Sequence, residues 1–231
     1  MSAIRHKPNN RAPTTILDNI AVGGAVLGIA VTAWVLLRSP KPNLAPVRQQ
    51  AVVGWDTLKE AGHEIGSSAG LVRIVVYSDY QCSFCATAHT TLRAVHNEFR
   101  PNLSVRYRHL PLRRLHPYAE KASLAAECAG EQGRFLEFTD VLYGLQEEIG
   151  KRPWVTFAIK AGVRDSASFA ACVNDERYKP RVLADEASAS ALQLTATPTI
   201  ILEGKQLIGL MSPEELSRLV KQELAGRSPP P

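Results

Sequence analysis

The sequence lacks a second pair of closely spaced cysteines, a histidine directly after its one Cys-x-x-Cys, and a stripe of basic residues. Its cysteines are at 82, 85, 128 and 172, and the last two are isolated, so a zinc knuckle with two cysteine pairs is disfavoured. Residue 86 is alanine, which excludes a c-type haem site. The basic residues are scattered, so the net charge of +5 does not predict nucleic-acid binding.

The composition is that of a globular protein. The chain has 231 residues, of which 45% are hydrophobic and 21% are charged, so it can form one domain of good size with appendages. Disorder is not the overall interpretation. An even number of cysteines is more typical of an oxidising compartment than of the cytosol.

An uncharged run of eighteen residues extends from Ile20 to Leu37. As a helix it would be about 27 Å long at ~1.5 Å per residue, close to the ~30 Å hydrocarbon core of a bilayer. Extended by two apolar residues before it, the run predicts a membrane anchor over 16–37, after a cytoplasmic segment over 1–15. A cleaved signal peptide is the competing hypothesis, but the run exceeds the usual ~7–15 residues and no small-x-small cleavage site follows.

The residues around the anchor do not fix its orientation. Basic residues are equally frequent before and after the run, so the positive-inside rule does not decide. Residues 38–66 include three prolines and predict a semi-extended tether with a short lead-in.

The chain is organised around residues 71–97, where a β-branched run leads through Cys82 and Cys85 into a helical pattern. A cysteine at a helix N-terminus lies beside unpaired N–H groups, which stabilise the thiolate, the nucleophile of disulfide exchange. This predicts that Cys82 attacks and that Cys85, one turn later, resolves the mixed disulfide. A metal site with His89 would have only three ligands, and an inert Cys82–Cys85 disulfide would close a very short loop; both remain alternatives.

The rest of the chain alternates between strand and helix patterns. The first helix should end before Pro101, and residues 103–110 predict a strand. Strand character returns at 199–202, with a hairpin partner at 206–210, and a helix follows from Ser212 to about 224. Between these strands, helical spacing predicts four or five helices, at about 117–129, 133–148, 153–161, 166–173 and 177–193, with Ser166 as a cap of one of them.

This order of elements resembles that of the DsbA-like thiol:disulfide oxidoreductases. The resemblance covers residues 71–224. It implies an α/β thioredoxin fold over 67–225, with an inserted helical subdomain at about 115–194 and a tail over 226–231. The motifs that carry it are residues 77–85, Pro111-Leu112 with His116-Pro117, residues 125–129 with 132–135, and residues 197–199.

The resemblance also implies the surroundings of the dithiol. The Thr197–Pro198 bond should be cis and lie beside the cysteines, where the backbone of Thr197 pairs with an extended client. Cys128 and Cys172 should form a structural disulfide, and no metal or organic cofactor is expected. The expected partners are unfolded or extended proteins with cysteines and a membrane redox partner. The expected location is the bacterial inner membrane, as a single-pass protein whose catalytic domain faces the periplasm or the cell exterior.

Three residues near the motif need their own interpretation. Position 76, six before the first cysteine, is valine, whereas many thioredoxin-fold enzymes carry an acid there that moves protons. Asp79 is expected to cap the turn. We expect His89 to be an exposed helix residue rather than a catalyst.

The direction of electron flow separates two enzyme hypotheses. The preferred function is an anchored oxidase that donates disulfides. The alternative is an anchored reductase that serves cytochrome maturation or similar clients. A third hypothesis is a non-enzymatic holdase, or a copper-handling protein that uses Cys82, Cys85 and His89.

Overall fold

The computed structural model describes residues 47–58, 61–65, 70–209 and 211–227. The predicted anchor over 16–37 and the segment before it lie outside these residues. Among the described residues, no helix is both long enough and apolar enough to cross a bilayer. The elements in chain order are β1 (Arg48–Ala51), α1 (Trp55–Leu58), β2 (His63–Ile65), β3 (Val72–Ser78), α2 (Ser83–Phe99), β4 (Leu103–His109), α3 (Ala119–Glu131), α4 (Phe135–Gly144), a 3₁₀ turn (Gln146–Glu148), α5 (Trp154–Lys160), α6 (Ser166–Asn174), α7 (Lys179–Ala191), β5 (Thr199–Leu202), β6 (Lys205–Ile208) and α8 (Pro213–Ala225).

The strands form one six-stranded sheet in the order β1-β6-β5-β3-β4-β2. Strands β3 and β4 are parallel, so a crossover, helix α2, must join them. The other neighbouring pairs are antiparallel. Strand β3 lies inside the sheet, and its carboxyl end delivers the chain directly to the two cysteines. The predicted α/β architecture is confirmed.

Strand β3 divides the core into two parts because successive side chains point to opposite faces. Ile74 and Val76 belong to the larger core, together with residues of α2, α8 and the helical insertion. Val75 and Tyr77 belong to the smaller core, which includes Ala189 of α7. A continuous β-branched run therefore forms a strand that is buried on both faces.

Five helices, α3 to α7, form the insertion between β4 and β5. The cap of α6 differs from the prediction: Asp165, not Ser166, caps the helix by accepting the Ser168 N–H at 2.9 Å. Ser166 is already the first helical residue, so the cap is the polar residue before it. The predicted start of α8 is confirmed, since the Oγ of Ser212 accepts the Glu215 N–H at 3.2 Å.

A disulfide links two helices of the insertion. Cys128 of α3 and Cys172 of α6 are joined with an S–S distance of 2.02 Å and a Cα–Cα distance of 5.9 Å. Each cysteine is 1% exposed. The bond is the one that the family resemblance implies, and it closes a loop of 44 residues that spans most of the insertion.

The tether and lead-in expected over 38–66 contain two strands of the sheet, which corrects that prediction. Strand β1 pairs antiparallel with β6, and β2 pairs antiparallel with β4. Each pairs with a strand whose outer N–H and C=O groups would otherwise lack a hydrogen-bond partner in the sheet. Their sequences, RQQA and HEI, are short and polar, so the sheet edge and not local propensity decides their conformation.

Glu127 is a buried acid that connects the insertion to the sheet. Its side chain is 1% exposed. Its oxygens lie 2.7 Å from Nε2 of His63 on β2 and 2.9 Å from Nε2 of His109 on β4, and Arg181 of α7 is 3.2 Å away. Burial raises the pKa of Glu127, but the hydrogen bonds to His109 and His63 outweigh this effect and lower it to about 2.

This cluster predicts a loss of stability in acid. Because the folded pKa of Glu127 is below the ordinary value of 4.5, the carboxylate stabilises the fold above about pH 4.5, and this contribution is lost as the pH falls towards 2. We expect the difference in free energy of unfolding between the wild type and Glu127→Gln, measured in urea, to shrink over this range. Glu131→Gln is the matched control, because the Glu131–Arg177 pair is exposed and contributes little. A difference that stays constant between about pH 4.5 and pH 2.5 would contradict the role of Glu127.

Candidate active site

The turn between β3 and α2 is built around the carboxylate of Asp79, which is fully buried. Its Oδ1 accepts the Gln81 N–H at 2.7 Å, which confirms the predicted role in the turn. Its Oδ2 accepts the Leu112 N–H at 2.8 Å and lies 2.8 Å from Nδ1 of His116. The carboxylate therefore fixes both the turn and the loop after β4.

The helical insertion also braces this turn. The Nε2 group of Gln146 donates to the carbonyl oxygens of Tyr80 and Cys82, at 2.7 and 3.0 Å. The Tyr80 hydroxyl lies 2.9 Å from Oγ1 of Thr139 on α4. These contacts hold the cysteines in place from outside their own strand and helix.

Cys82 is the N-cap residue of α2 and is free of any disulfide. Its side chain is 6% exposed. The hydrogen bond with the Cys85 thiol is the main cause that lowers the pKa of Cys82 to about 5; burial opposes it, and the N–H groups of Cys85 and Phe84 assist it. At neutral pH this cysteine is therefore a thiolate, as its place at the helix start predicts.

Cys85 lies in the first turn of α2 and is only 1% exposed. Burial raises the pKa of its thiol far above the ordinary value, and the neighbouring Cys82 raises it further. The N–H of Asp79 donates to its sulfur at 3.5 Å. The two cysteines thus differ in protonation, with a thiolate at 82 and a buried thiol at 85.

The loop before β5 reaches the dithiol from across the sheet. The Thr197–Pro198 bond is cis, and the carbonyl oxygen of Thr197 lies 3.4 Å from the Sγ of Cys82. The structure therefore brings together the four residues that the sequence assigned to catalysis and client binding. The fifth and sixth, Cys128 and Cys172, lie in the insertion and not at this site.

The sequence matches a known family over most of the described chain. A family model described as Thioredoxin covers residues 58–222. The chain belongs to the thioredoxin family. As a thioredoxin-family member with two free cysteines at the start of a helix, it carries the pair of thiols that disulfide exchange requires.

Several solved structures share this variant of the thioredoxin fold. Oxidised BdbD from Bacillus subtilis has a TM-score of 0.65 at 16% identity, covering 78% of this chain and 100% of that one. A thioredoxin-like oxidoreductase from Silicibacter pomeroyi has a TM-score of 0.63 at 21% identity, covering 75% and 98%. Chlamydia trachomatis DsbA has a TM-score of 0.63 at 15% identity, covering 74% of this chain and 95% of that one. These likenesses show the fold, and they agree with the DsbA-like resemblance.

Curated relatives of this thioredoxin-family chain are named as Na(+)/H(+) antiporters. The Na(+)/H(+) antiporter NhaA 1 of Salinispora arenicola is 31% identical over 222 residues, which are 91% of this chain and 34% of that protein. NhaA 1 of Mycolicibacterium gilvum is 33% identical over 213 residues, with corresponding shares of 90% and 32%. The chain spans about a third of the length of these relatives.

The expectation that His89 is exposed is wrong. Its side chain is 6% exposed, its Nδ1 lies 2.8 Å from the Tyr107 hydroxyl, and its Nε2 lies 2.7 Å from Oδ1 of Asp140. His89 is four residues after Cys85 and three before Leu92, so it shares the buried face of α2. Among the described residues, no group of three or more His, Cys, Asp or Glu side chains is arranged to hold a metal ion.

Sequence reasoning did not find the contact between Ser78 and Tyr143. The Oγ of Ser78 lies 2.6 Å from the Tyr143 hydroxyl, and both residues are buried. Tyr143 comes from α4, 65 residues further along the chain, so no local pattern links the two. The available signal is that Ser78 shares a face of β3 with Val76.

The low pKa of Cys82 predicts the pH dependence of its reactivity. We expect the rate of alkylation of Cys82 to rise with a midpoint near pH 5, because the thiolate is the reactive form. Cys85→Ala removes the hydrogen bond that contributes most, so the midpoint should move to higher pH. Cys85→Ser keeps a donor and should move the midpoint less. A wild-type midpoint near ~8.5, the value of a free thiol, would contradict the assignment.

Proposed function

We propose that the chain is an oxidase that transfers its Cys82–Cys85 disulfide to protein clients. The observation that carries this proposal is the difference between the two thiols. Because the Cys82 thiolate is stabilised, the reduced enzyme is favoured over its disulfide, and the disulfide is correspondingly a strong oxidant.

The exposure of the sulfurs assigns the order of the steps. A client thiolate attacks Sγ of Cys82, since Cys85 is almost fully buried. The Cys82–Cys85 bond breaks, its electron pair goes to the Cys85 sulfur, and this sulfur takes up a proton. In this direction Cys85 is the leaving group, and it attacks only in the reverse reaction.

A second client thiolate completes the transfer. It attacks the client sulfur of the mixed disulfide and releases Cys82 as a thiolate, which is a good leaving group because its pKa is low. The client has then lost two electrons and two protons, and the enzyme holds the reduced pair. A membrane oxidase would reoxidise Cys82 and Cys85.

The surface beside the dithiol fits an extended, apolar client segment. Phe84, between the cysteines, is 56% exposed, and Tyr118, whose N–H donates to the side chain of Gln81 next to Cys82, is 44% exposed. A groove of ≈ 360 Å³ extends from Phe84 past Thr197 and Pro198 towards β6. Exposed apolar groups of this kind are typical of interaction sites, and the Thr197 backbone is close enough to the cysteines to pair with the client strand.

The proposal includes a location outside the cytoplasm, on an anchor over 16–37. The apolar run of that segment supports the anchor. The Cys128–Cys172 disulfide supports an oxidising compartment, where such bonds persist.

The direct test uses the oxidised full-length chain and a reduced peptide with two cysteines flanked by leucine and phenylalanine. We expect the peptide to form its disulfide while Cys82 and Cys85 become reduced, as followed by mass after thiol trapping. Efficient transfer only in the opposite direction, from an oxidised peptide to the reduced chain, would replace the oxidase with the reductase.

A further inference from the structure

The buried position of Cys85 creates a need for a proton donor, if the chain acts by the proposed exchange. When the disulfide opens, the Cys85 sulfur becomes a leaving group with a raised pKa, so it must gain a proton as the bond breaks. Its side chain is 1% exposed, which keeps bulk water away from the sulfur. Val76 of β3 packs in the same core as Cys85, but its apolar side chain has no proton to give.

The side chain of Ser78 is placed to supply that proton. Ser78 is the last residue of β3 and shares the face of Val76, whose side chain packs in the same core as Cys85. The next residue, Asp79, donates its backbone N–H to the Cys85 sulfur at 3.5 Å. The Ser78 side chain is a close enough neighbour of Cys85 to act against the rise in the pKa of its thiol.

A second hydroxyl continues the path away from the sulfur. The Ser78 Oγ lies 2.6 Å from the hydroxyl of Tyr143, whose side chain is 8% exposed. Tyr143 lines a groove of ≈ 330 Å³ on the surface, together with His89, Asp140 and Gly144. The two hydroxyls therefore lead from the buried sulfur to a residue that lines a groove on the surface.

Two other titratable groups near the turn, Asp79 and His89, are engaged elsewhere. The Asp79 carboxylate is occupied by Gln81 and Leu112 N–H groups and by His116. Both ring nitrogens of His89 are bonded, to Tyr107 and Asp140. Neither group has a described contact with the Cys85 sulfur through its side chain.

We propose that Ser78 and Tyr143 form a two-hydroxyl relay that moves a proton between the groove and Cys85. As the S–S bond breaks, the Ser78 hydroxyl gives its proton to the Cys85 sulfur and takes the proton of Tyr143. Tyr143 takes a proton from water in the groove, and the hydroxide formed is neutralised in bulk solvent. Both hydroxyls end as they began, and the reverse reaction runs the same path outward.

The test is a single-turnover reaction of the oxidised full-length chain with a reduced cysteine peptide, in H₂O and D₂O. Loss of a positioned proton donor should slow the opening of the disulfide in Ser78→Ala and Tyr143→Phe by roughly 100-fold or more. The wild type should react more slowly in D₂O than in H₂O, and both variants should lose much of this difference. Ser78→Thr, which keeps the hydroxyl, should recover rate and isotope effect relative to Ser78→Ala.

Two further variants separate a relay from a structural role. Ser123→Ala removes a buried hydroxyl in α3, which donates to the Ala119 carbonyl at 3.0 Å, and should leave the isotope effect unchanged. Because the two hydroxyls act in series, the rate losses of the two substitutions should not add. The double variant, Ser78→Ala with Tyr143→Phe, should react about as slowly as Ser78→Ala alone.

The relay and the oxidase proposal fail in different ways. A wild-type rate and isotope effect in folded Ser78→Ala and Tyr143→Phe, or additive losses in the double variant, would overturn the relay while disulfide transfer persists. If the wild type transfers no disulfide to the peptide, the oxidase proposal itself fails.

Discussion

Cys82→Ser should reduce disulfide transfer to a two-cysteine client by roughly 10³-fold or more, because a serine hydroxyl cannot replace the sulfur that forms the mixed disulfide. In the proposed exchange Cys82 is the reactive sulfur, because it lies at the start of α2, its pKa is about 5, and it is the more exposed of the pair. The measurement is the initial rate of client oxidation, followed by mass spectrometry after the free thiols have been trapped.

Cys85→Ser is the matched comparison. It leaves Cys82 able to form a mixed disulfide with an oxidised client but removes the partner that resolves it, so a covalent complex should accumulate. Client binding should survive in both variants. If Cys82→Ser still oxidises the client at the wild-type rate, the dithiol is not the reactive centre, and a binding module would explain the site better.

Loss of the Cys128–Cys172 disulfide should destabilise the fold by ~4 kcal/mol in the chain-entropy treatment of a loop of this length. The bond joins α3 to α6 within the insertion, so the variant should keep its sheet but unfold at lower temperature. The expected fall in melting temperature is roughly 10 °C for a domain of this size. The measurement is thermal unfolding of Cys128→Ala with Cys172→Ala.

A reductant provides the control for that prediction. In a chain that carries Cys82→Ala and Cys85→Ala, the remaining disulfide is the one at 128 and 172, so dithiothreitol should lower the melting temperature. When Cys128 and Cys172 are also replaced, dithiothreitol should have no effect. Equal melting temperatures with and without reductant in the first chain would show that this disulfide does not stabilise the fold.

Features with local signals were predictable from the sequence. The β-branched run that forms β3, the cysteines at the start of α2, and the Ser212 cap of α8 each depend on residues within one turn or one strand. Helical spacing likewise located the five helices of the insertion. The predicted cap of α6 was wrong by one residue. Asp165 and Ser166 are both good N-cap residues, and only the backbone conformation selects between them.

Features that depend on tertiary contacts were not predictable in this way. Strands β1 and β2 have polar sequences and exist because a sheet edge accepts them. The contact of Ser78 with Tyr143 joins residues far apart in sequence. The burial of His89 is an intermediate case: its spacing from Cys85 placed it on the inner face of α2, but its partners Tyr107 and Asp140 come from other elements.

The reduction potential of the Cys82–Cys85 pair tests the proposed direction of electron flow most directly. The full-length chain would be equilibrated in glutathione buffers, trapped and weighed, with Cys128 and Cys172 assigned separately. We expect a value near ~−120 mV, as in a strong disulfide donor. A value near ~−270 mV, as in thioredoxin, would contradict the oxidase and identify the chain as a reductase.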